Sequence, residues 1–242
     1  MKLLLPLLIT CAIATISPCA ESAEPVALNV RIEVQMVTMP LEKGLPLLPN
    51  LRDAGSIEGA FSQIQKMIGE GEATLIGWPQ VVTKSGQRAV TEDIQEIRYA
   101  TKYGSGKAAI PPKSEADKTS VAAAPLTGGA PVPTAFETRN AGTTLEVEPV
   151  IGPDGSTIDL NLVPQHVRLL DYTVAASGRD AQGHDWKIEQ PRFFTAKTTT
   201  SITVTTGQRV LLAEFRGPEG SDQIEFFILK AELVPADAVK PK

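Results

Sequence analysis

At 242 residues, with 42% hydrophobic and 21% charged side chains, the chain has an ordinary globular composition and enough length to bury a core. Its formal net charge of −5 excludes the basic surface that phosphate neutralisation requires, so neither nucleic acid nor an anionic lipid surface is expected as a partner.

Residues 1–22 read as a secretory signal: Lys2 supplies the positive start, residues 3–16 the apolar run, and Ala20-Glu21-Ser22 a small-x-small cleavage site. That run is too short to span a bilayer. Both cysteines, Cys11 and Cys19, lie inside the 1–22 segment, and Thr10 and Pro18 are poor residues to precede a lipid-modified cysteine. The exported chain is therefore expected to carry neither disulfide nor thiol chemistry.

From Leu28 to Met36, apolar Leu28, Val30, Ile32, Val34 and Met36 alternate with Asn29, Arg31, Glu33 and Gln35, which predicts an amphipathic strand ended by Pro40. The Pro/Leu/Gly-rich stretch to Gly55 is expected to be loop. Ser56 is expected to cap a helix whose Ile57, Phe61, Ile64, Met67 and Ile68 recur at helical spacing until Gly69 and Gly71. Residues 73–78 form a strand broken by Pro79. Two short strands about a Ser85-Gly86 turn follow, the second continuing to Ile97-Arg98-Tyr99.

Residues 104–133 are rich in Gly, Ala, Pro, Ser and Lys and lack the apolar surface that would offset ordering entropy, so a surface loop is expected there. Next, Leu145 and Val147 alternate with Thr144, Glu146 and Glu148, and Ile158, Leu160 and Leu162 with Asp159 and Asn161. Gly152-Pro153-Asp154-Gly155-Ser156 between them supplies turn chemistry, so a β-hairpin is predicted. Residues 168–189 look irregular. Residues 198–204 suit a strand through their β-branched side chains, followed by a tight Thr206-Gly207-Gln208 turn, Val210-Leu211-Leu212 and a last strand over 224–234.

No catalytic constellation emerges. His166 and His184 lie in separate segments, and a zinc site needs about four ligands at recognisable spacing. Asp154 and Asp159 do not follow a calcium loop, and Gly152-x-x-Gly155 is too short for a phosphate loop. No enzyme, cofactor, metal or small-molecule substrate is expected.

Phe136-x-x-Arg139-x-x-Gly142-x-x-Leu145-x-Val147-x-Pro149, with its polar turn at Gly155, resembles the C-terminal homology domain of the secretins, the outer-membrane pores of type II and type III secretion and of type IV pilus assembly. An earlier block is similar too, with Gly86, Gln87, Ala89, Ile97 and Tyr99 in matching places, and so is a later one with Pro191, Phe193, Thr200, Gly207 and Gln208. The resemblance implies a mainly β (α+β) fold, an antiparallel sheet of amphipathic hairpins with one packed helix. It divides the chain into an N-terminal strand-helix-strand unit (26–79), a secretin-like β domain (80–234) and a tail (235–242). It further implies a homo-oligomer joined through strands, in the periplasm or outer membrane, with other secretion-system proteins as companions. In the family the segment equivalent to 104–133 forms a pore-closing hairpin.

Three departures bear on function: few elements precede the homology region, Ala213-Glu214-Phe215 replaces Gly-Gly-Leu, and the polar run 217–222 replaces a Leu-Pro-x-Leu-Gly-x-Leu-Phe stretch. These favour an alternative, a soluble periplasmic interaction or scaffold module that keeps the fold without a channel.

Overall fold

The computed structural model describes residues 27–106 and 128–236. The expected signal segment and most of the low-complexity segment lie outside the described residues. In chain order the elements are β1 (Leu28–Pro40), α1 (Leu41–Gly44), a 3-10 turn (Leu45–Leu47), α2 (Leu48–Arg52), α3 (Ile57–Gly69), β2 (Thr74–Gly77), β3 (Gln80–Lys84) and β4 (Ala89–Gly106). They continue with β5 (Gly129–Ile151), β6 (Thr157–Arg179), β7 (Asp185–Lys197), β8 (Thr200–Thr205), β9 (Arg209–Arg216) and β10 (Gln223–Pro235).

Among the described residues two antiparallel sheets result, where the sequence pattern suggested one. The first has the order β2-β1-β10-β9, with β3 following β2 along the same side of β1. The second has the order β4-β5-β6-β7, with β8 continuing the line of β7 along β6. Their facing surfaces form the main core: Val30, Ile32, Val34 and Met36 of β1 and Phe227, Leu229 and Ala231 of β10 meet Leu145, Val147, Ile158, Leu160 and Leu162. The alternating residues of the sequence are thus the inward ones, each side chain contributing about 1.5–3 kcal/mol by leaving water.

On its other face the first sheet carries the helices. Val37, Met39, Ile224, Phe226 and Ile228 pack against Leu47, Leu51, Ile57, Ala60, Ile64 and Met67. This explains why β10 does not alternate. Buried on both faces, it reads as a nearly continuous apolar run.

Several expectations are corrected. The stretch after Pro40 is mostly helical, because Pro46 and Pro49 fall in the first turns of short helices, where a missing N–H costs nothing. Gly44 there lies so close to Ile224 that a Cβ would overlap it. Ser56 precedes α3 but does not cap it: its Oγ donates to the Asn50 carbonyl (3.1 Å) and to Asp53 Oδ2 (2.7 Å) instead. β3 and β4 flank the Ser85-Gly86 turn as expected but do not pair with each other: β3 pairs with β1 and β4 with β5, so the turn carries the chain between sheets. Residues 168–189 are mostly strand, β6 reaching Arg179 and β7 starting at Asp185, with bulges at 169/171 and 174/176. Their polar composition reflects a ribbon exposed on both faces rather than irregular backbone. Strand pairing also extends into both ends of the low-complexity segment, to Gly106 and from Gly129. β1 pairs along its whole length with β10, so the first and last strands lie side by side in one sheet.

Candidate functional site

The second sheet divides. β5 pairs with β6 only from Gly142 to Ile151, whereas β4 pairs with β5 up to Gly129 and β7 with β6 up to Arg179. Beyond Gly142 and Val167 two long ribbons, β4/β5 and β6/β7, therefore leave a common base. Gly142 sits at the fork with φ +127°, and a Cβ there would strike the Asp93 carbonyl and lie 2.9 Å from the Ile94 Cα. Only glycine lets the backbones approach this closely.

The sequence-identified residues converge above that fork. The Arg139 guanidinium lies 4.8 Å from the centre of the Phe193 ring and donates to Thr195 Oγ1 at 2.9 Å. Tyr99 packs on the same ring, with centroids 6.1 Å apart. Gln190 donates to the Ala100 carbonyl at 2.9 Å. Phe136, half-exposed, is covered by the Arg98 guanidinium at 4.4 Å. Residues from three separate sequence blocks thus tie the two ribbons together.

The remaining motif positions serve the base. Leu145 and Val147 are fully buried between the sheets. The Gly86 N–H donates to the Pro149 carbonyl (2.7 Å) and the Ile151 N–H to Ser85 Oγ (3.0 Å). In a strand one residue's N and O point the same way, and β4 has ended by Val147, so Pro149 loses no ladder bond. Pro164 in β6 is tolerated for the same reason, its carbonyl accepting from Thr198 where β7 gives way to β8. Pro191 lies in edge strand β7, opposite Tyr172, and Thr200 pairs with Leu162. Gly155 (φ +64°) completes a turn held by Asp154, whose carboxylate accepts from the N–H and hydroxyl of both Ser156 and Thr157 and is kept well below the usual carboxylate range by them.

Gly207 (φ +81°) donates to the Ala231 carbonyl at 2.8 Å, while Gln208 Oε1 accepts from Thr205 N–H at 3.1 Å. That turn carries the chain back to the first sheet. Gln87 bonds within its own turn, its side chain donating to the Gly86 carbonyl and its N–H to the Lys84 carbonyl.

Sequence reasoning missed the polar layer beneath the fork. The inward stripe of β6 changes from Leu160 and Leu162 to His166 and Arg168, and Arg168 reaches across to Glu225 of β10 while lying over Phe194 at 5.3 Å. Glu225 has no solvent exposure, and burial pushes its carboxyl up despite the partner. His166 is also buried, and burial, with the Arg168 charge beside it, lowers its pKa to about 4. The signal was visible as a charge inside the apolar run Ile224-Glu225-Phe226-Phe227.

Among the described residues both sheets have open edges, and these are matched. The β2–β3 edge overlies β4 and β5, with Gly77 against the Thr143 side chain. β10 lies over β6 through Arg168–Glu225, and β9 beside it packs Val210, Leu212 and Phe215 against the same inter-sheet core. One flank thus presents β4 with β2–β3, the other β7–β8 with β9. Following the antiparallel order, β4 runs opposite to β7–β8, and β9 opposite to β2–β3.

The family model for bacterial type II and III secretion system protein, the secretin model, matches residues 66–216. The chain belongs to the secretin family. No curated protein matches. Among solved structures, this secretin is similar to the V. cholerae type IV competence pilus secretin PilQ, at 14% identity over 88% of this chain and 63% of that one, with a TM-score of 0.45. It is also similar to the Salmonella SPI-1 type III injectisome secretin InvG (11%, 90% and 66%, TM-score 0.43) and to GspD in an enterotoxigenic E. coli pilotin–secretin complex (10%, 88% and 50%, TM-score 0.44). The chain therefore spans between half and two thirds of those structures.

Two outcomes test the geometry of this region. Gly142→Ala should cost on the order of 2 kcal/mol or more in urea unfolding, because both φ and the Asp93 carbonyl oppose a Cβ. For His166, a folded pKa lowered from 6.5 to about 4 means that the unfolded chain takes up the proton first as pH falls. Its contribution is complete above pH 6.5 and is lost towards pH 4, by up to about 3 kcal/mol. Glu225, with its raised value, acts in the opposite sense, contributing below pH 4.5 and losing that contribution as pH rises. Thermal midpoints from pH 7 to 4 should therefore fall less steeply in His166→Gln than in the parent chain, and more steeply in Glu225→Gln.

Proposed function

We propose that this secretin is the strand-sharing subunit of a homo-oligomeric ring in a bacterial type II/III secretion or pilus system, exported to the periplasm or outer membrane and without enzymatic activity. The observation that carries the reading is the pair of matched flanks. A ring needs a heterologous interface, one flank of each copy meeting the other flank of the next. Rotation about a ring axis brings β7–β8 against β4 and β9 against β2–β3, antiparallel in both sheets. Exposed edges of this length would otherwise invite irregular association.

A second reading, a soluble periplasmic interaction or scaffold module that keeps the fold without a channel, has one observation in its favour. The apolar side chains exposed on the upper β6 ribbon, Leu170, Tyr172 and Val174, are few, and a lipid-facing band spans ~9–11 residues of each strand. Recovery of the protein in osmotic-shock fluid rather than with outer membrane would favour this second reading. The motif residues Arg139, Tyr99 and Phe193 then hold the ribbons together in either case.

An edge substitution tests the ring. Pro149 fixes which β5 residues point towards β4, and by that parity the N–H of Glu92 points out to the open edge. Glu92→Pro removes an intermolecular donor without breaking a β4–β5 bond. It should leave the thermal midpoint within a few degrees of the parent while shifting the sedimenting species from ring to monomer. A parent chain that stays strictly monomeric in both detergent and buffer would overturn the ring.

A further inference from the structure

The β2–β3 edge carries an unusual side chain. Trp78 stands at the break between the two strands, 53% exposed, held only by an indole N–H that donates to Glu33 Oε2 at 3.3 Å. Leu75, on the same edge, is also exposed. Neither belongs to the motif positions that mark the family. The opposite edge of the same sheet has a recess of about 260 Å³ between β9 and the start of the helical layer, lined by Leu51, Arg52, Ala54, Ile57, Arg209 and Leu211.

Tryptophan and recess are at one level and on one face. Along the strands, Glu33 of β1 stands opposite Gln80 on one side and, through Lys230 of β10, opposite Arg209 on the other. Side chains from both edges converge there: Arg209 comes within 3.9 Å of Glu33 and Trp78 bonds to it. Glu33 alternates with Ile32 and Val34, which face the second sheet, so it lies on the helix side. Arg209 confirms the side by stacking 3.6 Å over Phe61 of α3. Placing copies flank to flank, antiparallel and at equal height, sets Trp78 of one against the recess of the next.

We propose that Trp78 is the anchor of the interface between copies, its exposed face filling the recess between α2 and β9 of the neighbouring copy. This rests on the ring reading above and adds the residue that fixes its register. A strand edge alone permits slippage by two residues, since backbone bonds are the same at each step. A large rigid side chain entering a single recess does not. Aromatic anchors in pockets of this kind carry a large share of interface energy. Arg209, pinned by Glu33 and Glu58, forms the polar rim of the recess.

The chain has two tryptophans, so Trp186→Phe leaves Trp78 as the only tryptophan, which excitation beyond the tyrosine band reads alone. In the full chain, its emission should move to the blue and resist acrylamide quenching as concentration is raised through assembly, followed in parallel by sedimentation. Trp78→Ala, and separately Ala54→Glu on the exposed rim, should each raise the half-assembly concentration about tenfold or more, with unchanged far-UV circular dichroism. Assembly with unaltered Trp78 emission, or variants that assemble like the parent, would overturn the anchor and leave the ring standing. A parent chain that never assembles would overturn both.

Discussion

Burial of β10 on both faces is the constraint on which the rest depends. Phe226 and Ile228 are covered by the helices while Phe227 and Leu229 are covered by the second sheet, so one strand ties three layers together. Its partner β1 comes from the other end of the sequence. The helical segment between β1 and β2 has to cross this sheet closely, which is why Gly44 lies where any larger side chain would meet Ile224. Long-range pairing of this kind makes folding depend on closing the whole chain, not on local hairpins.

The second sheet has a different logic. Its lower half is fixed by apolar burial against β1 and β10, whereas its upper half is two ribbons with both faces largely wet. What keeps those ribbons together is a small set of directed contacts, Arg139 on Phe193 and Thr195 chief among them. Between the two regimes lies the layer of His166, Arg168 and Glu225. A buried ion pair is weak as a source of stability but costly to break from one side, so it fixes the relative position of the sheets just where the ribbons depart. The fork and the core are thus mechanically joined through Arg168.

Open edges follow from this arrangement. Each sheet ends in an unbroken strand on one flank and a strand in two pieces on the other, β4 against β7–β8 and β9 against β2–β3. Pro164 shows why one of the breaks falls where it does: it has no N–H to offer the strand beside it, and the chain interrupts at Thr198 to match. The same rule seats Pro149 beyond the end of β4.

Alternation in the sequence determined the identity of the inward residues of β1, β5 and β6, the helical stripe of α3 and the hairpin at Gly155, because these depend on the period of side-chain burial within one element. The turn glycines Gly86, Gly155 and Gly207 were legible for a related reason: each answers to a local backbone need. Only the tertiary structure decided that two sheets exist, that β3 and β4 part company, that residues 168–189 are strand, and that Arg168 finds Glu225. Those outcomes turn on which strands lie beside which, and strand pairing is made by backbone groups common to every residue, leaving no mark in the order of side chains. The Trp78 edge and the β9 recess are the far case of that rule, lying on opposite flanks of a sheet that the sequence never brings near each other.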